Sequence, residues 1–87
     1  MNKEELGEEF MKYLCKECRE VGDSITEQLA LQFFLKRTES EREISDETIS
    51  YLESLGYFTR IEKFPVNLFQ LTQAGYDHIF NPNKQGA

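Results

Sequence analysis

"ISDETISYLESLGYF", residues 44–58, is the stretch that decides the fold. Ile49, Leu52 and Leu55 recur every three residues, which sets them on one side of a helix. Ser45 stands where an N-cap is expected. Asp46 and Glu47 then fall at the positive end of the helix dipole. Gly56 follows the last leucine, the usual stop. Tyr57 to Glu62 is aromatic and β-branched and reads as a strand. A capped helix therefore halts at a glycine and feeds a strand.

Downstream, residues 63–67 (KFPVN) read as a turn around Pro65, and Leu68 to Leu71 as the returning strand of a β-hairpin. Thr72 caps a last short helix, QAGYDHIF, which Asn81-Pro82 ends. Residues 82–87 are expected to form a disordered polar tail. Upstream, residues 3–21 read as a first helix with Leu6, Phe10, Tyr13, Leu14, Cys18 and Val21 on one face and a stop at Gly22-Asp23. Ser24-Ile25-Thr26-Glu27 has the form of a capping box that opens a second helix running to about Arg37. That helix is apolar over a broad surface: Ile25, Leu29, Ala30, Leu31, Phe33, Phe34 and Leu35. TESERE, residues 38–43, reads as a charged connection or as one more turn of that helix. The expectation is one domain over residues 1–81, mainly α with a small sheet of two or three strands, an α+β fold.

At 87 residues, 39% of them hydrophobic, the chain suffices for one core and not two. The formal net charge is −6. Broad non-specific attraction to nucleic acid or to anionic membrane is thereby disfavoured, because Lys and Arg drive both. The excess is local: residues 1–28 hold eight acids against four bases. No apolar run approaches spanning length and the N-terminus has no signal-like segment, so the chain reads as cytoplasmic, with its two cysteines reduced.

The segments "ISYLESLGYFTR" and "FQLTQAGYDHI" resemble the recognition-helix and wing regions of MarR-type and PadR-type repressors. The matching phrases are Leu52, Leu55 and Gly56, then Leu71, Thr72 and Gly75. "SITEQLA" resembles the entry to the helix that supports the reader helix. The resemblance covers about residues 24–80 and implies a winged helix-turn-helix that binds double-stranded DNA as a homodimer and regulates transcription. Two departures stand out. The connection between the second and third helices exceeds the three or four residues of a tight helix-turn-helix. The reader helix also carries no Lys or Arg.

On that reading Ser50, Tyr51 and Ser54 approach base edges, while Arg42, Arg60 and Lys63, with Lys36 and Arg37 nearby, contact phosphates. The bland alternative pairs these cations with Glu39, Glu41, Glu43 and Glu62. The wing tip carries Phe64 and Val66 where a DNA-contacting wing usually carries cations. Exposed there, they mark a protein contact; folded back, they are core. Tyr13, Leu31, Phe34 and Leu35 are candidates for a dimer surface, or else also core. The second functional reading is therefore an acidic winged-helix interaction module or adaptor that does not bind DNA. Cys15-Lys16-Glu17-Cys18 is a lone CxxC, short of the four ligands of a structural zinc, since His78 is the only histidine. With no phosphate loop, nucleophile motif or metal-ligand cluster, neither a cofactor nor an enzyme is expected.

Overall fold

A capping box starts α1 (Lys3–Glu17): Asn2 Oδ1 accepts from the Glu5 N–H while the Glu5 carboxylate accepts from the Asn2 N–H. In this computed structural model, which describes residues 2–82, α1 is the element around which the core forms. Nearly all of the expected polar tail lies outside the described residues. α1 ends at Glu17, not at residue 21. The Asp23 carboxylate accepts from the N–H groups of Arg19 and Glu20, and Gly22 takes φ +95°. The Gly22 N–H then donates to the Leu71 carbonyl, which draws the chain into a sheet. Val21 is consequently exposed instead of facing the core.

The sheet takes residues that locally resemble a cap. Ser24–Thr26 is a strand, β1, paired antiparallel with β3 (Leu68–Leu71), Ile25 opposite Phe69. Thr26, not Ser24, caps α2 (Glu27–Leu35), its hydroxyl accepting from the Leu29 N–H. The expected charged connection forms a helix of its own, α3 (Glu39–Glu43), with Thr38 and Glu41 in a reciprocal capping box. α4 (Ser45–Ser54) follows with Ile44 at its N-cap and no side-chain cap bond, so Ser45 does not serve as the cap. β2 (Phe58–Ile61) pairs antiparallel with β3, and α5 (Gln73–Phe80) closes the order. Five helices and one three-stranded antiparallel sheet, ordered β1-β3-β2, make a mainly helical α+β fold among the described residues.

The core is aromatic. The Phe10 ring stacks on Phe34 at 5.4 Å and meets Phe33 edge-on at 5.5 Å; Phe58 stacks on Phe69 at 4.9 Å across β2 and β3. Leu6, Met11 and Leu14 of α1 and Ile49 and Leu52 of α4 complete it. Leu55 is exposed, outside the inward row expected of it.

Gly56 and Gly75 are drawn together in one junction. Gly56, at φ +77°, turns the chain out of α4. The Thr72 hydroxyl donates to the Gly56 carbonyl and accepts from the Gly75 N–H, so one oxygen caps α5 and ties it to the end of α4. A Cβ on Gly75 would lie 2.0 Å from the Tyr57 carbonyl oxygen. Only glycine allows this approach.

Candidate interaction surfaces

α4 turns Thr48, Ile49 and Leu52 inward and leaves Asp46, Glu47, Ser50 and Ser54 exposed. The buried Thr48 hydroxyl is satisfied by the Ile44 carbonyl at 2.7 Å. Tyr51 is half-buried, with Lys3 Nζ 5.4 Å from its ring centre. Ser54 Oγ donates to the Tyr51 carbonyl at 2.6 Å. Of the three residues named for base contact, Ser50 alone is exposed without a hydrogen bond from its side chain.

The cations named for phosphate contact are mostly occupied within the chain. Arg60 grips Glu53 through Nε and Nη2, each 3.0 Å from Oε1. Arg37 Nε lies 3.2 Å from Glu41 Oε1; the hydrogen bond from the Thr38 backbone N–H foremost, and then the Arg37 guanidinium, hold the Glu41 carboxyl below its ordinary range. Arg42 Nη1 donates to the Arg37 carbonyl at 2.8 Å. Glu47 itself pairs with Lys3 at 3.7 Å. Lys36 and Lys63 remain exposed. The outward face of α4 carries Asp46 and Glu47, and the two cations seen against this helix, Lys3 and Arg60, are each paired with one of its acids.

The β2–β3 hairpin is apolar at its tip. Phe64 is 97% exposed and Val66 is also exposed, so neither folds back over the core. Backbone pairing of the Glu27 N–H with the Asn67 carbonyl brings the base of the hairpin against the start of α2. Pro65 and Val66 thereby join Leu31 around a hollow of about 370 Å³. One turn further along α2, Leu35 is 69% exposed. A ridge of five apolar side chains thus runs from Leu35 and Leu31 to Val66, Pro65 and Phe64. Leu35 and Leu31, one helical turn apart, share a face.

Of the other two dimer candidates, Phe34 is buried and Tyr13 is half-buried with its hydroxyl engaged. Phe34 is only 3% exposed and belongs to the core. The Tyr13 hydroxyl donates to the Leu29 carbonyl at 2.8 Å, which pins α1 to α2. Cys15 and Cys18 are buried free thiols, each raised to about 11 by burial. Among the described residues no cluster of three or more His, Cys, Asp or Glu is placed to hold a metal. No helix there is long and apolar enough to cross a membrane.

Sequence reasoning missed one polar cluster. His78 Nδ1 lies 3.1 Å from the Tyr57 hydroxyl, His78 Nε2 contacts the Glu8 carboxylate, and the two rings stack at 4.5 Å. It ties α1, the entry to β2 and α5 together. A residue at position 8 meeting one at position 78 leaves no local signal. Comparison with protein-family models, curated proteins and solved structures gives no match, so the surfaces are read on their geometry alone.

Proposed function

We propose that the chain is a winged-helix interaction module that grips another protein with its wing and the outer face of α2, and that α4 does not read duplex DNA. The observation that carries this is Phe64, 97% exposed at the tip of an apolar ridge. Large apolar side chains held out in water on a hairpin tip carry a free-energy cost that a partner covering them would remove. Glu27, which lines the hollow with Leu31, Pro65 and Val66, gives the ridge an acidic edge, so the partner's chemistry is an apolar pocket with Lys or Arg at its rim. Catalysis has no place in this reading.

Photo-crosslinking from position 64 in the native cell tests it. One protein is expected to be captured from position 64 and not from exposed Glu20. The purified partner should then bind Phe64→Ser at least about tenfold more weakly, the scale of one lost anchor. Capture of the chain itself would make the ridge a homodimer interface instead, and sedimentation would show it. Equal capture from both positions contradicts the reading.

A second reading, a DNA-binding transcriptional regulator, is favoured by one observation. The order α1-β1-α2-α3-α4-β2-β3-α5, with sheet order β1-β3-β2, is in keeping with the winged helix that the resemblance implies once α3 is taken as an insertion before α4, and Ser50 is exposed on α4. It requires phosphate contacts from Arg60 and Lys63, which duplex titrations test directly.

A further inference from the structure

Lys16 stands where three hollows meet on the surface of α1. The first, about 360 Å³, is walled by Tyr13 and Phe33, with Lys36 and Arg37 at the end of α2. The second, about 410 Å³, continues past the same two rings to Lys12. The third, about 300 Å³, lies between α1 and α5 beside Arg19, Tyr76 and Phe80. Together they form a belt whose composition departs from the rest of the chain. Lys12, Lys16, Arg19, Lys36 and Arg37 are five of its ten Lys and Arg; Glu9 and Glu17 are two of its sixteen Asp and Glu. A positive track therefore crosses a protein of net charge −6. Among the described residues no ion pair holds Lys12, Lys16, Arg19 or Lys36.

Rings are set between these cations. Tyr13 and Phe33 lie 5.5 Å apart, and Tyr76 and Phe80 lie 4.7 Å apart, with Phe80 exposed. The Arg37 guanidinium sits 5.2 Å from the Phe33 ring centre. Cations alone suit any polyanion. Cations alternating with aromatic rings suit one whose flat faces are free to stack, which a duplex hides and an acidic peptide lacks. We infer that the α1 belt is a track for single-stranded nucleic acid. Phosphates lie on Lys12, Lys16, Arg19 and Lys36, and bases stack on the two ring pairs. The track is separate from the wing ridge, so Phe64→Ser leaves it unaffected.

The test uses a labelled oligothymidylate of roughly a dozen nucleotides, inside the span of roughly 4–16 that one small single-strand module covers. Anisotropy is expected to report binding that weakens with salt. Emission from the chain's tyrosines, which have no Trp beside them, is expected to fall as bases stack. The exposed triple variant Lys12→Glu, Lys16→Glu, Lys36→Glu should lose at least about tenfold in affinity while its circular dichroism is unchanged. Phe80→Ala should lose roughly fivefold or more, and Phe80→Tyr should restore it. No binding at low salt, or full affinity in the triple variant, overturns the inference. So does a duplex of the same length that binds equally well. A polyglutamate peptide that binds as tightly without dimming tyrosine emission would assign the belt to acidic proteins instead.

Discussion

Gly75 has no room for a methyl group: the Tyr57 carbonyl oxygen occupies the place a Cβ would take. Gly75→Ala should therefore destabilise by about 3 kcal/mol or more, the upper range of overpacking. Gly22→Ala meets nothing within 4 Å and strains only a φ of +95°, so about 1 kcal/mol is expected. Urea midpoints separate the two, and equal losses would contradict the steric explanation. The buried thiols set a second residue-scale effect. Burial, foremost, raises Cys15 and Cys18 from 9.0 to about 11, with the Asp23 carboxylate adding to the shift of Cys18. The folded state thus favours the protonated thiol. This stability is fully present below pH 9 and is lost as pH rises towards about 11. The urea midpoint should fall across that window and fall less in Cys15→Ala, Cys18→Ala. Tyr13 and Tyr57, both also raised chiefly by burial, supply a remaining slope of the same sign.

Elements whose signals are local were legible in the sequence, and those made by distant partners were not. The stop at Gly56, the hairpin and the Thr72 cap all depend on residues within a few positions, and the structure has them where expected. β1 does not. Residues 24–27 satisfy a capping-box pattern, yet the strand exists because Leu71 accepts from Gly22 and donates to Asp23 across the sheet. The same bonds shorten α1. α3 is a different case, since Thr38 and Glu41 are a capping box in plain view within a segment read as a charged connection or one more turn of the second helix. Thr38→Ala should cost about 1 kcal/mol through loss of that cap. Of the candidate site, the apolar hairpin tip was legible because Phe64, Pro65 and Val66 are consecutive. The occupation of Arg60 by Glu53 was not, since a helix and a strand supply the pair. This exposed pair should be worth at most about 1 kcal/mol, so Arg60→Ala should melt close to wild type. That makes it a clean probe of binding.

Across the whole molecule, charge and apolar surface are segregated. Acids dominate the outward side of α4, an apolar ridge runs from α2 to the tip of the β2–β3 hairpin, and half of the cations gather around α1. A duplex reader would place its cations around α4, because phosphate contacts supply most of the affinity. Here the outward side of α4 presents Asp46 and Glu47. The most direct measurement is fluorescence anisotropy of labelled duplex DNA from the flanks of the protein's own gene, at low and near-physiological salt, with wild type and the Arg60→Ala, Lys63→Ala variant. No sequence-preferring binding is predicted, and any low-salt association should be the same for both proteins. Sequence-preferring binding whose salt slope shrinks in the variant would show α4 and the wing reading DNA after all, and would contradict the assignment of this face to a protein partner.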